Sequence, residues 1–441
     1  MPKTGFLDSI DGRLLRGWAH EEGADSPATV EICLNGVVVA SVLCADFRPD
    51  LAAAHIGDGR HGFSYGFPPE YGPLFGIVTV RFAGSGPVLT NGERVVPDLG
   101  SRLLSSSVLA KGLWSLKRLE LSDTGIALEG WAIPPRALAL PVAITHNQAA
   151  LQLTRHRRDD IAGKLGLSQD EVGFGFTAQA HAGPEVRSHE FRFEHAATRR
   201  PFDPHQTIHY ILSDKPLPPE RLRVRVHGSA DPVSFIREGS STFARIQHVL
   251  QCYFSKSIAD SSHVLDWGCG SGRVLRYLDD GIQSTGIDID QEAIEWCRQA
   301  FPRFQFLTVP TVPPTSIPDN TFDLIYGISV LTHLSEADHL RWLAELHRIS
   351  QPNAILLLTT FGDTACWRSR LPFSMFPTLA GGFSDGGRNS DLDQVDVNRE
   401  YYRNVFIAHE YILQTWSRYF EVVDILPGAI GNLQDLVILR R

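Results

Sequence analysis

The stretch VLDWGCGSGR, residues 264–273, joins an apolar run to three glycines at alternate positions, Gly268, Gly270 and Gly272. An apolar run of this length suits a buried strand, and glycines so spaced demand a loop with left-handed backbone angles or a close approach of another group. The spacing then returns to a helical one in VLRYL, and the chain keeps alternating from about residue 240 onward. SSTFARIQHVLQCYF, GRVLRYLDD, QEAIEWCRQAF and SEADHLRWLAELHRIS read as helices; HVLDW, STGIDID, FQFLTV, FDLIYGIS and AILLLTTF read as strands. Short apolar runs between longer helical segments specify βαβ units, hence a doubly wound, mostly parallel α/β sheet. The end differs: YFEVVDILP and LQDLVILRR flank GAIGN, which predicts an antiparallel C-terminal hairpin.

In an open α/β sheet a ligand sits beyond the carboxyl ends of the strands, where the first loop meets a helix. The glycine loop occupies that place. A nucleoside-triphosphate loop needs G-x-x-x-x-G-K-[ST], and neither the Lys nor the spacing is present. A dinucleotide loop needs G-x-G-x-x-G, whereas the spacing here is G-x-G-x-G with Asp266 ahead of the first glycine, a carboxylate that opposes a pyrophosphate. A third ligand, S-adenosylmethionine, lacks phosphate and carries an ammonium and a sulfonium, which an acidic strand end suits. Asp288 ends the next strand 22 residues after Asp266, the distance at which a carboxylate meets ribose hydroxyls.

The first half of the chain repeats itself. Gly17-Trp18-Ala19 recurs as Gly130-Trp131-Ala132, Arg48 and Asp50 as Arg158 and Asp160, Gly62-Phe63 as Gly173-Phe174, and Arg81-Phe82 as Arg192-Phe193, at offsets of 110–113 residues. ATVEICLNGVVVASVL alternates around Asn35-Gly36, a strong hairpin signal, and Asn147-Gln148 stands at the matching turn of the second copy. The expectation is two small β-sandwich-like repeat domains with Trp18 and Trp131 in their cores and the repeated Arg and Asp as internal ion pairs. The boundaries read as 1–95 and 112–202 for the repeats, 203–235 for a Pro-rich linker, and 236–441 for the α/β domain.

With 43% apolar and 21% charged residues the chain is of ordinary globular type, and a net charge of −9 argues against nucleic acid as a partner. The six cysteines show no C-x-x-C pair or Cys/His cluster, so no metal site is expected and reduced thiols are. The N-terminus lacks the apolar core of a signal peptide, and no segment reaches the ~18 apolar residues of a membrane span. These features predict a soluble, cytoplasmic protein. Nothing in the sequence marks an oligomeric state.

Residues from about 225 to 441 resemble class I S-adenosylmethionine-dependent methyltransferases, through VLDWGCGSGRVLRYL, GIDIDQEAIEWC, FDLIYGISVLTHL, WLAELHRISQPNAILLLTT and QDLVIL in order. The resemblance implies that Asp266, Trp267, Gly268, Gly270 and Gly272 line the methionine and ribose of the cofactor. It further implies that Asp288 binds the ribose hydroxyls, and that Ile289 and Ser329 complete the site, Ile289 against the adenine. The Asp that the family often carries after the third strand is missing from FQFLTVPTVPP, which leaves Thr308 or a backbone carbonyl for the adenine amino group. The repeats loosely resemble small β modules beside glycosyltransferases of bacterial surface-polysaccharide proteins, which implies a carbohydrate-related context.

Methyl transfer needs a base only when the acceptor is a hydroxyl or a protonated amine. His333, just past the fourth strand, is the first choice and His227 the second. The Gly-rich segment 361–407, with Tyr401 and Tyr402, reads as a lid over the site. The expected acceptor is a small molecule or glycan. The alternative is a non-catalytic protein that binds S-adenosylmethionine or carbohydrate.

Overall fold

The computed structural model describes residues 2–11, 14–24, 26–34, 36–68, 77–95, 113–122, 125–133, 142–160, 174–180, 185–196, 207–369, 371, 375–378, 381–392, 395 and 400–441. The described residues of the first repeat, within 2–95, make one compact unit, and the second repeat belongs with the α/β sheet to another. The repeat residues Asn35 and Gly173 lie outside the described residues.

In the first repeat, Lys3–Asp11 pairs antiparallel with Leu14–Glu21, which pairs with Arg60–Gly66, while Thr29–Leu34 lies between Val37–Leu43 and Ile77–Phe82. The two groups of strands enclose one core of Leu7, Leu15, Val30, Ile32, Phe63, Val80 and Phe82. In the second repeat one sheet holds Leu113–Ser122, Gly125–Ile133, Leu153–His156 and Phe174–Ala180. The other holds Val142–His146, Ala149–Ala150, Ser188–His195 and Thr207–Ile211, and both sheets contribute to a shared core. Asn147 and Gln148 take φ of 46° and 71°, so the pair makes a hairpin turn of the kind that Asn-Gly favours even though Gln replaces the glycine.

The duplication is legible in side-chain stereochemistry. Arg48 grips Asp50 with two bonds of 2.8 and 2.6 Å, and Arg158 grips Asp160 with 2.7 and 2.6 Å. Trp18 faces Gly62 across the strands as Trp131 faces Gly175, so Gly62-Phe63 corresponds to Gly175-Phe176 and not to Gly173-Phe174. The tryptophans are not the sandwich core. Gly17 and Gly130 put their missing side chains toward Phe63 and Phe176, at 2.7 and 2.8 Å from the ring carbons. Because successive strand residues face opposite sides, the neighbouring Trp18 and Trp131 face away from those cores; Trp18 is half-buried and Trp131 is covered from the other side.

The described part of the expected linker, from residue 207, carries a strand and helices. Thr207–Ile211 pairs with Ser188–His195 and sends Ile208 and Tyr210 into the second repeat's core, so the alternating residues there form a strand. The helices Glu220–His227 and Pro232–Phe254 follow, the latter capped by Asp231 and beginning before residue 236. Val233 and Ile236 of the long helix pack on the same β core, which joins repeat and α/β domain.

The α/β domain has seven strands in the order Gln305–Thr308, Ser284–Asp288, Val264–Trp267, Phe322–Gly327, Ser350–Thr360, Gln434–Arg440, Glu421–Ile430. The first five are parallel and the last two antiparallel, as the hairpin signal predicts. Successive residues feed cores on opposite faces, Val264, Leu324 and Leu357 on one and Leu265, Ile325 and Leu356 on the other, which explains the unbroken apolar runs. Ile246, Val249 and Ile294 cover the first face; Trp342, Leu346 and Trp416 cover the second. One expected helix is absent: after the glycine loop only the 3-10 turn Leu275–Tyr277 forms. Tyr277 donates to the Ile236 carbonyl at 3.0 Å and Arg276 to that of Lys215 at 2.6 Å, so the turn is tied to earlier segments and the long helix packs beside it.

A methyl group added at Gly130 would sit 2.4 Å from the Ser115 carbonyl oxygen as well as against Phe176. Gly130→Ala is expected to cost about 1–3 kcal/mol through overpacking; a lowered denaturation midpoint by circular dichroism checks this.

Candidate functional site

The central strand Val264–Trp267 is flanked by Ser284–Asp288 on one side and Phe322–Gly327 on the other. Chain order reverses at that strand, so a crevice opens at its carboxyl end. The loop beyond it is bound to the second strand: the amides of Gly268 and Cys269 donate to the Ile287 carbonyl at 2.8 and 3.1 Å, and the Gly270 amide donates to Asp288 Oδ2 at 2.7 Å. Gly268 and Gly270 have φ of 71° and 50°. A side chain on Gly268 would come within 2.3 Å of Val330 Cγ2, and one on Gly270 within 2.7 Å of Val226 Cγ2. The glycines therefore keep side chains out of a cleft of about 1000 Å³, its outer part open to solvent.

Asp266, Trp267, Gly268, Gly270, Asp288, Ile289 and Ser329 all line this cleft. Gly272 does not. Its missing side chain points at Phe301, 2.5 Å away, so it serves the packing of loop on core and not a ligand. Thr308 is exposed and also absent from the lining, where Val309 stands instead. Val309, Ile289, Trp342 and Tyr401 form an apolar end of the cleft, closed by Tyr401 donating to the Thr311 carbonyl at 2.6 Å and Trp342 to the same oxygen at 3.0 Å.

The electrostatics centre on two carboxyl groups. Asp266 is buried and accepts from the Tyr326 hydroxyl at 3.1 Å; Asp288 accepts from the Gly270 and Asp290 amides at 2.7 and 2.9 Å. Burial pushes Asp266 up to about 7 and Asp288 up to about 6. Among the described residues neither carboxylate has an ion-pair partner. Burial opposes the charge on both acids while Arg273 favours it on Asp266, and an environment of this kind suits a cationic, hydroxyl-bearing ligand. Next to them, Arg225 pairs with Asp290 at 2.6 Å while Asp290 caps the helix Gln291–Ala300, which fixes the helix start at the rim of the cleft. Arg225 and Tyr326 escape sequence reading, since one lies in a segment read as linker and the other in a strand read as apolar.

The two histidines stand outside this cleft, in a second chamber that adjoins it. His333 donates through Nδ1 to the Arg403 carbonyl at 2.8 Å and stacks on Tyr402 at 4.2 Å; burial lowers it to about 4, so it is neutral with Nε2 as its acceptor edge. His227 has both ring nitrogens engaged, Nε2 with Ser234 at 2.9 Å and Nδ1 with Glu238 at 3.2 Å. It ends the helix Glu220–His227, and these contacts hold its ring in place. Among the described residues of 361–407, Phe383–Arg388 pairs with Arg403–Ile407 as a ribbon, and Leu392, Tyr401 and Tyr402 line the cleft. Among the described residues no three His, Cys, Asp or Glu side chains gather to hold a metal.

Residues 265–358 match a family described as a methyltransferase domain. An uncharacterised methyltransferase of Schizosaccharomyces pombe is 27% identical over 122 residues, covering 24% of this chain; the chain spans 43% of that relative's length. Among solved structures, the N-methyltransferase NodS of Bradyrhizobium japonicum with S-adenosylhomocysteine is 16% identical, covers 51% of this chain and 97% of its own, and has a TM-score of 0.34. The 1,6-didemethyltoxoflavin-N1-methyltransferase of Burkholderia thailandensis is 17% identical over 54% of this chain and 96% of its own, with a TM-score of 0.33. Residues 265–358 thus carry a methyltransferase domain. The cleft sits at the carboxyl end of that domain's first strand, with open glycine backbone and two acids that have no ion-pair partner among the described residues.

A carboxyl group whose pKa is raised in the native state holds its proton longer than in the unfolded chain, so its contribution to stability falls as pH rises from the ordinary Asp range toward the raised value. The unligated Asp266→Asn protein is therefore expected to melt higher than the wild type at about pH 8, with the gap closing toward about pH 5. Differential scanning fluorimetry across that range measures the gap; an equal drop at both ends would refute it.

Proposed function

We propose that this chain is an S-adenosylmethionine-dependent methyltransferase acting on a small polar molecule, with a glycan or glycan precursor as the acceptor class. The observation that carries the reading is the buried Asp266 and the half-buried Asp288 on either side of a glycine-held loop, neither with an ion-pair partner among the described residues. Asp266 and the loop backbone take the cationic methionine end, Asp288 takes the ribose hydroxyls, and Ile289 with Val309 takes the adenine. When bound, the cofactor supplies a methyl group on a sulfonium, so the step is an in-line displacement that asks the protein for position and dryness. Tyr401, Tyr402 and Leu392 exclude water over the cleft. His333, neutral with Nε2 free to accept, takes the proton of an acceptor hydroxyl as the new bond to carbon forms.

The carbohydrate context rests on the duplicated modules, which we read as β-sandwich repeats of the sort that accompany glycosyltransferases, with Trp18 facing away from its own core. The reading places the protein in the cytoplasm, where the methyl donor is made. Among the described residues no helix is long and apolar enough to cross a membrane.

Isothermal titration with S-adenosylmethionine tests the reading. Binding is expected for the wild type, and Asp288→Asn should weaken it by about 10- to 100-fold, the worth of hydrogen bonds to a charged group. Because only ionised carboxylates attract the cation, affinity should fall from about pH 8 to about pH 5.5, with protons released on binding. Absence of binding, or the same affinity in Asp266→Ala, would sink the proposal. His333→Gln should lower kcat by about 100-fold or more while cofactor affinity stays unchanged.

A further inference from the structure

The second chamber spans about 1860 Å³, part of it open to solvent, and shares Arg225, Val226, Arg273, Ser329 and Tyr402 with the cofactor cleft, so the two spaces adjoin. One wall comes from the α/β domain and its overlying segment, with His333, Phe361, Asn432 and Gln434; the other comes from the second β repeat, with Trp114, Leu116 and Ile208. The walls are tied together where Asn432 Nδ2 donates to the Trp114 carbonyl at 3.3 Å.

Three buried polar atoms on these walls have no hydrogen-bond partner: Trp114 Nε1, a donor, and Asn432 Oδ1 and Gln434 Oε1, both acceptors. Asn432 is only 5% exposed. Their other atoms are engaged, Gln434 Nε2 donating to Ser329 Oγ at 2.5 Å and the Trp114 ring lying flat on Phe193 at 4.7 Å. Each unmet group carries a desolvation cost that a bound molecule removes. A mixture of donors and acceptors suits hydroxyl groups, since each can give one hydrogen bond and accept others.

Charge narrows the class. Five arginine side chains line the chamber against the carboxylates of Glu238 and Asp391. Arg225 is committed to Asp290 and Glu292, and Arg237 and Arg273 share Glu238. Arg368 donates to the Asn432 carbonyl at 2.6 Å and has no carboxylate partner among the described residues. A cation so placed, beside the unmet Asn432 oxygen's own residue, is a counter-charge for an anionic ligand.

We infer that the second β repeat is a wall of the methyl-acceptor site, and that the acceptor is a polyhydroxylated anion of sugar size, bound by Arg368 together with Trp114, Asn432 and Gln434. The inference rests on the methyltransferase reading above. In it the repeat is part of the active site and not an appended module, and His333 lies at the junction where a hydroxyl of the acceptor meets the methyl group.

The test uses the full chain with radiolabelled S-adenosylmethionine and three acceptor sets: neutral hexoses, hexuronic acids and hexose phosphates. Label is expected in at least one acidic set and not in the neutral one, the carboxylate and phosphate arms showing which anion is used. Trp114→Phe, which keeps the stacked ring and deletes the N–H, should raise the acceptor KM about tenfold. Arg368→Gln should raise it about 100-fold. Calorimetric affinity for S-adenosylhomocysteine should be unchanged in both, which shows that they fold. Equal labelling of neutral hexoses, no labelling of any set by a chain that binds S-adenosylhomocysteine, or an unmoved KM in both variants would overturn the inference. A wild type that fails to bind S-adenosylhomocysteine would overturn the methyltransferase reading, and this inference with it.

Discussion

Two acids without an ion-pair partner among the described residues, Asp266 buried and Asp288 half-buried, are the constraint around which the α/β domain is arranged. Asp266 sits in the central strand because a parallel sheet buries both faces of its middle strands, and Asp288 is brought beside it by the adjoining strand. The bond from the Gly270 amide to Asp288 turns the loop between them into a fixed rim, and the left-handed angles of Gly268 and Gly270 keep that rim free of side chains. Burial raises both carboxyl groups, and a cation beside them would favour their ionised forms. A neutral residue in either place would make a better core and a poorer receptor.

Much of this was legible in one dimension, for a physical reason. Asp266, Gly268, Gly270 and Asp288 act through the backbone or through a strand end, and strand ends are local features that composition and spacing mark. Gly272 shows the limit: it shares the pattern, yet its role is to let Phe301 approach, and only packing tells the two uses apart. The missing helix after the loop is a similar case. VLRYL has the right period, but the bonds from Tyr277 and Arg276 to distant carbonyls hold the chain in a single 3-10 turn. Tertiary context outweighed local propensity there.

The repeats teach the same lesson from the other side. Trp18 and Trp131 stand at the centre of the matched segments and invite a core assignment, but it is the adjacent glycines that admit Phe63 and Phe176 to the cores. With a side-chain period of two, one step along the strand separates inside from outside, and a hydrophobicity pattern containing Gly and Trp side by side does not say which is which. His227 and His333 could be ranked from sequence only by position. Their different fates follow from partners far away in the chain, Ser234 and Glu238 for one and the Arg403 carbonyl for the other. The chamber they share was invisible, because it is made where a β repeat and an α/β domain meet through Trp114 and Asn432.

Tyr402 belongs to both spaces: its ring lines the cofactor cleft, and it also lines the second chamber with His333 stacked on it. A side chain shared in this way gives the two ligands a common boundary. The ring is already held by its stack on His333 at 4.2 Å, so both spaces abut one fixed surface. A change of this residue alters the walls of both spaces at once.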